Sequence, residues 1–169
     1  MFRIDIALNS VLDITPELLS ENNIRGLLLD IDNTLTTHDN PVPAEGVENW
    51  IQTMKNSGIR LFLVSNNIPE RVSPFAEKIG LEFVCNGKKP LSSGFNRAQK
   101  LMNIPFAELA VVGDQIFTDV LGANLKRVKC IYVRPMELEK KGFLKFKRKI
   151  EVPFLPKELY NNRKCDEKQ

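Results

Sequence analysis

The sequence predicts an α/β fold, a three-layer arrangement in which a central, mainly parallel sheet of five strands carries helices on both faces. Three observations predict it. Short apolar runs at 26–30, 59–64, 82–85, 109–112 and 130–133 alternate with helix-like stretches at about 44–57, 69–80, 91–103 and 118–128, the rhythm of parallel strands joined by crossover helices. Prolines and glycines fall where those helices need to start and stop. Polar clusters of carboxylates, amides and a lysine directly follow four of the apolar runs. At 169 residues the chain suits a single domain, 1–169, with a core over about 24–135 and a basic extension over about 136–169.

Each element can be justified in turn. Ile4–Leu8 and Val11–Ile14 are apolar stretches that precede a helix start at Thr15-Pro16-Glu17-Leu18-Leu19, with Thr15 as cap and Pro16 at the first helical position. Gly26-Leu27-Leu28-Leu29 reads as a buried strand that ends at Asp30. Pro43 and Ala44 open a helix that Gly58 closes, and Val47, Trp50, Ile51 and Met54 share its apolar face. Leu61–Val64 is a second buried strand and ends in Ser65-Asn66-Asn67. Pro69 opens the next helix and Gly80 ends it. After the run at 82–85, Gly87-Lys88-Lys89-Pro90 places a lysine before a proline, which biases Lys89 to an extended backbone and starts a helix at Pro90 that stops near Asn103. Leu109–Val112 is another strand, running into Gly113-Asp114 and, five residues on, Asp119.

The polar clusters carry the chemistry. Strand residues alternate in direction, so Asp30 and Asp32 can share one side of the strand end while Thr34 begins the following turn. Two like charges so close repel, and a cation or a bound proton relieves them; both suit the movement of a phosphoryl group. The plain alternative is an Asx turn closing the strand. Ser65, Asn66 and Asn67 offer a hydroxyl and amides for phosphate oxygens, although Ser-Asn-Asn is also ordinary turn chemistry. Lys89 either offsets the charge of phosphate and nucleophile or belongs to a solvated lysine pair. In open α/β sheets, ligands bind outside the carboxyl ends of the strands, so these segments converge on one edge.

The ordered set Asp30-x-Asp32-x-Thr34, Ser65-Asn66-Asn67, Lys89-Pro90 and Gly113-Asp114 with Asp119 resembles the haloacid dehalogenase (HAD) superfamily of phosphatases. The wording of the motifs is similar to subfamily IIIA, and most to the bacterial YqeG type, which is related to the mitochondrial phosphatidylglycerophosphate phosphatase. The resemblance covers roughly 24–135 and implies a HAD-like Rossmannoid sandwich. It further implies Asp30 as nucleophile, forming an aspartyl-phosphate, and Asp32 as general acid and then base. Mg²⁺ would be held by Asp30, the Asp32 backbone carbonyl and Asp114. Ser65 and Asn66 would bind phosphate oxygens, Lys89 would stabilise transition-state charge, Asp119 would orient Lys89 or metal-bound water, and Thr34 would brace the loop. The places where many HAD enzymes insert a cap offer only Thr36–Pro43 and Ile68–Lys88, the latter used by a helix and a strand, so a capless enzyme is expected. An uncovered site favours bulky or surface-presented phosphoesters unless another subunit covers it.

Charge is unevenly spread. Residues 134–169 hold 11 Lys+Arg against 6 Asp+Glu, whereas 1–133 hold 13 against 15. Within Lys140-Lys141-Gly142-Phe143-Leu144-Lys145-Phe146-Lys147-Arg148-Lys149, apolar residues interleave with cations and no acid intervenes. Such a segment can lie on an anionic bilayer; single-stranded nucleic acid is the less favoured partner, and a C-terminal helix with its lysines in water is the plain alternative. No signal peptide is visible and no apolar run approaches the roughly 20 residues that span a bilayer, so a cytoplasmic protein is expected, at most peripheral on the inner face of the membrane. Cys85, Cys130 and Cys165 show no metal or redox spacing. His38, the only histidine, reads as a surface-loop residue. The leading expectation is hydrolysis of phosphatidylglycerophosphate in phospholipid biosynthesis. The alternatives are a soluble sugar-phosphate or nucleotide phosphatase working as an oligomer, a nucleic-acid end phosphatase, and a scaffold that keeps the fold without chemistry. The sequence leaves the oligomeric state open.

Overall fold

Leu27, Leu28 and Leu29 are all buried, and so are Phe62, Leu63 and Val64, because their strands are covered on both faces; this explains their continuous apolar runs. The computed structural model describes residues 2–91, 93–137 and 150–154. In chain order it contains β1 (Ile6–Leu8), α1 (Pro16–Glu21), β2 (Gly26–Leu29), α2 (Val47–Asn56), β3 (Arg60–Val64), α3 (Pro69–Ile79), β4 (Glu82–Val84), α4 (Ser93–Met102), β5 (Leu109–Gly113), α5 (Leu121–Lys126) and β6 (Lys129–Val133). A single π-type turn, Ile116–Val120, leads into α5. The strands form one parallel sheet in the order β1-β6-β5-β2-β3-β4.

The sheet has six strands, not the expected five. The additional strand is β1, which pairs with β6 through Ile6↔Ile131 and its neighbours. It is a three-residue edge strand with every residue only half-buried, so it carries neither a long apolar run nor a clean alternation. Asp5 extends the pairing, since its N–H donates to the Cys130 carbonyl (3.0 Å) and its carboxylate accepts from the Cys130 N–H (2.9 Å).

Two apolar layers flank the sheet. Leu27, Leu29, Leu61, Leu63, Ala110 and Val112 pack against α2 and α3 through Trp50, Met54, Val72 and Phe75. Leu28, Phe62, Val84 and Val111 pack on the other face against Phe95, Ala98 and Met102 of α4 and Ala123 of α5. Burying a side chain such as Leu29 or Phe62 contributes roughly 1.5–3 kcal/mol. Trp50 adds a hydrogen bond from its indole N–H to the Ile14 carbonyl, 2.9 Å.

Helix starts are partly as expected. Thr15 caps α1 by accepting from the Leu18 N–H (3.2 Å), Pro69 begins α3, and Gly80 closes it in the left-handed region at φ 63°. α2 starts at Val47 behind Gly46 (φ 85°), not at Ala44. α4 starts at Ser93, not at Pro90, because a tight turn comes first: Lys88 has φ 55° and its carbonyl accepts from the Leu91 N–H at 2.7 Å. The Lys89–Pro90 peptide is cis. Between β2 and α2 there is only a loop, and between β3 and α4 only α3 and β4.

Candidate active site

The site is built at the carboxyl ends of β2, β3 and β5 and in the loop after β4. Asp30 continues the β2–β5 ladder by one bond, its N–H donating to the Val112 carbonyl at 2.9 Å, so its position is set by the sheet. Beyond it the chain wraps around the Ile31 carbonyl, which accepts from the N–H groups of Thr34 (3.2 Å) and Leu35 (2.9 Å), with buried Asn33 at φ 60°. Thr34 is buried, and its hydroxyl has no hydrogen-bond partner among the described residues.

Lys89 is held at both ends. The Asn66 side chain grips its backbone twice, Oδ1 accepting from the Lys89 N–H (2.7 Å) and Nδ2 donating to its carbonyl (3.0 Å). The amide expected on phosphate therefore holds the lysine instead. The buried ammonium donates to Asp30 Oδ1 in a very short contact and to Asp119 Oδ1 at 2.7 Å. Asp119 is fixed in turn through Oδ2, which accepts from the Thr118 hydroxyl (3.3 Å) and the Gln115 N–H (3.4 Å). Burial raises the Asp30 pKa to about 6; Lys89 opposes the rise, and Asp119 and Asp32 add to it. Burial alone would lower the Lys89 ammonium, but the Asp119 and Asp30 carboxylates outweigh it and hold the group above the usual lysine value.

Asp30, Asp114 and Asp119 are all buried, and each offers a carboxylate oxygen within 4.8 Å of the others. One ammonium cannot balance three carboxylates. The donor set is all oxygen, hard and anionic, which fits Mg²⁺.

Asp32 sits in a different environment. Its Oδ2 accepts from Asn67 Nδ2 (2.8 Å), and its Oδ1 from Arg71 Nη2 (3.0 Å) and the Asp39 N–H (3.1 Å). Asp30, Asp32, Ser65, Asn66 and Lys89 line one open cavity of about 250 Å³, together with Asn67, Gln115 and His38. His38 is exposed on its loop, as expected, and also lines this cavity, with Nδ1 4.0 Å from Asp32 Oδ1. A larger cavity of about 860 Å³ lies at the amino ends of the strands, beside Arg25, Ile59 and Glu108, and holds none of these groups.

The sequence reading missed Arg71. Its signal was present: a cation in the first turn of α3, where the helix dipole disfavours positive charge, calls for a local anion. The segment Lys140, Lys141, Phe143, Lys145, Phe146, Lys147, Arg148 and Lys149 lies outside the described residues. Both of its flanks reach the site loops. The N–H groups of Met136 and Glu137 donate to the Asn33 carbonyl and Oδ1 (3.3 Å each), and Glu151 Oε1 accepts from the Phe117 N–H at 3.4 Å.

A family model of haloacid dehalogenase-like hydrolases matches residues 37–125. The chain belongs to the haloacid dehalogenase-like hydrolases, and the fold agrees. The 4-nitrophenylphosphatase of Thermotoga maritima superposes with a TM-score of 0.59 at 12% identity, over 70% of this chain and 89% of that one. An uncharacterized protein from Listeria monocytogenes serotype 4b gives 0.57 at 18% identity, over 70% and 85%. Within the family, the probable phosphatase YqeG of Bacillus subtilis is 37% identical over 147 residues, 87% of this chain and 86% of that protein. The chain is accordingly a phosphatase of the YqeG type, acting on a phosphomonoester.

Proposed function

We propose that this phosphatase is a Mg²⁺-dependent enzyme working through an aspartyl-phosphate on Asp30, and that its substrate is lipid-borne, phosphatidylglycerophosphate being the leading candidate. The observation that carries the chemistry is the Lys89 ammonium fixed between Asp30 and Asp119 within a cluster of three buried carboxylates. Asp30, Asp114 and the Asp32 backbone carbonyl would hold the ion, which supplies electrophilic stabilisation of the phosphoryl oxygens. Asp30 attacks phosphorus in line and takes the phosphoryl group, releasing the alcohol. Asp32 gives its proton to the leaving alkoxide, then takes one from the water that hydrolyses the acyl phosphate. Lys89 offsets the negative charge that builds on the transferring group, and Asp119 keeps the ammonium in place. The Ser65 hydroxyl already accepts from the Asn67 N–H at 3.1 Å, so its proton is the part left for a phosphate oxygen. With the Asn66 amide engaged by Lys89, phosphate binding there falls to its main-chain N–H.

Three features support a substrate that lies mostly outside the protein. A cavity of about 250 Å³ is at the small end for ligand pockets and suits a phosphate with little more. Among the described residues, those between β2 and α2 form a loop and those between β3 and α4 form α3 and β4, so neither holds an inserted domain. The basic-aromatic sequence at 140–149 has flanking residues bonded to the loops that carry Asp32 and Asp119, next to where an anionic surface would meet the site. No helix among the described residues is long and apolar enough to cross a membrane.

The test is phosphate release from phosphatidylglycerophosphate in mixed micelles, compared with soluble phosphomonoesters, with Mg²⁺ present or removed by chelation. The expected result is strong lipid preference, dependent on Mg²⁺ and abolished by Asp30→Asn. Equal or better turnover of soluble esters would retain the phosphatase and remove the lipid assignment.

A further inference from the structure

We propose that Arg71 is a positioning residue for proton transfer, fixing the Asp32 carboxylate against the leaving oxygen. The proposal rests on the reading of Asp32 as acid and base. An aspartate carboxylate turns about a broad terminal torsion, so a contact on one oxygen alone leaves its plane loosely set. Asn67 holds Oδ2 from one side at 2.8 Å. Oδ1 is held from the other by Arg71 Nη2 at 3.0 Å as well as by the Asp39 N–H at 3.1 Å, and the same Nη2 donates to the Asn40 carbonyl at 2.9 Å. This ties α3 to the loop whose Asp39 N–H is the third donor to Asp32. The guanidinium is itself located by the Phe75 ring one turn further along α3, 5.8 Å from the centroid.

Stability alone does not explain this arginine. It occupies the dipole-disfavoured first turn of α3, its side chain is only 17% exposed, and its Nε and Nη1 are buried with no hydrogen-bond partner among the described residues. Burying a guanidinium with part of its donor set unmade is unfavourable. What it gains is direction. A general acid acts from about 2.6–3.2 Å of its target, and displacement by about 1 Å can cost on the order of 10²-fold in rate.

The test separates positioning from mere support by the leaving group. 4-Nitrophenolate departs without needing a proton, whereas the alkoxide of glycerol phosphate needs one. Because kcat/KM reports the steps up to formation of the aspartyl-phosphate, it isolates the acid role from later attack by water. For Arg71→Gln, the loss of kcat/KM on glycerol phosphate should exceed the loss on 4-nitrophenyl phosphate by about 10- to 100-fold. A cooperative urea melt shows that the variant is folded, and Arg71→Met, which also removes the donor, carries the same comparison should the glutamine variant not fold. Adding Arg71→Gln to Asp32→Asn should produce no further loss on glycerol phosphate. Equal losses on both esters, no loss on either, or a further loss in the double variant would each overturn the proposal. Asp32→Asn alone identifies the other failure: if it does not discriminate between the esters, the acid role of Asp32 falls, and the proposal with it.

Discussion

Asp30 has to be a carboxylate to attack phosphorus or to hold a cation, yet burial favours its proton and raises its pKa to about 6. A raised carboxyl pKa means that the metal-free folded protein retains a proton that the unfolded chain has already lost. The stabilisation from that proton is complete below the ordinary carboxylate pKa and disappears as pH rises through about 6. A cation at the site competes with it, so Mg²⁺ binding should expel the proton and tighten as pH rises toward neutrality. Titration calorimetry in buffers of different ionisation enthalpy should show about one proton released per Mg²⁺ near pH 5 and almost none near pH 8. Asp30→Asn should abolish that release; release of no proton near pH 5 in the parent would show Asp30 already ionised there.

Among the elements, β5 and the turn after it show how closely backbone and chemistry are joined. Gly113 ends β5, and a Cβ built on it would stand 2.3 Å from Cγ of Asp119, the carboxylate that holds the Lys89 ammonium. Gly113→Ala should therefore displace Asp119, with a loss of roughly 1–3 kcal/mol in stability and a fall in activity beyond what instability explains. Urea melts and kcat/KM on a soluble ester check this, and a stable, fully active variant would show that the approach can relax. β2, β3 and β5 were legible in the sequence because double-sided burial writes them as continuous apolar runs, and the polar residues after them were legible because strand ends open onto the ligand edge. β1 was not legible, being three half-buried residues stabilised by a distant partner. Neither was the role of the Asn66 side chain, whose contacts depend on a chain reversal 23 residues away, nor the pairing of Arg71 with Asp32, 39 residues apart. Periodicity reports burial of an element; it carries no record of which polar groups meet across the fold.

For the whole molecule, the uneven distribution of charge becomes meaningful once the flanks of the basic stretch are located. Residues 1–133 carry a slight excess of acid, so any general attraction to an anionic surface must come from the C-terminal part. The described residues on either side of that stretch are bonded to the site loops, Met136 and Glu137 at Asn33 and Glu151 at Phe117, and a T-shaped contact between Phe117 and Phe154 (ring centroids 6.1 Å apart) reinforces the second attachment. The described residues that flank the cations thus lie by the edge of the sheet where Asp30 and Lys89 open, rather than by the cavity beside Arg25 at the other edge. Each cation near an anionic bilayer contributes about 1 kcal/mol, an attraction that falls off within a Debye length. Replacing Lys140, Lys141, Lys145, Lys147, Arg148 and Lys149 with glutamine should leave kcat/KM on 4-nitrophenyl phosphate within about twofold, since none belongs to the proposed chemistry. On a lipid phosphomonoester in anionic mixed micelles the same variant should lose on the order of 10²-fold or more, and added salt should bring the parent toward the variant. Sedimentation with anionic vesicles gives the binding half of the comparison. Unchanged vesicle binding and lipid turnover would show that the cations do not bring the site to a surface, and the substrate would then have to be sought among soluble phosphomonoesters.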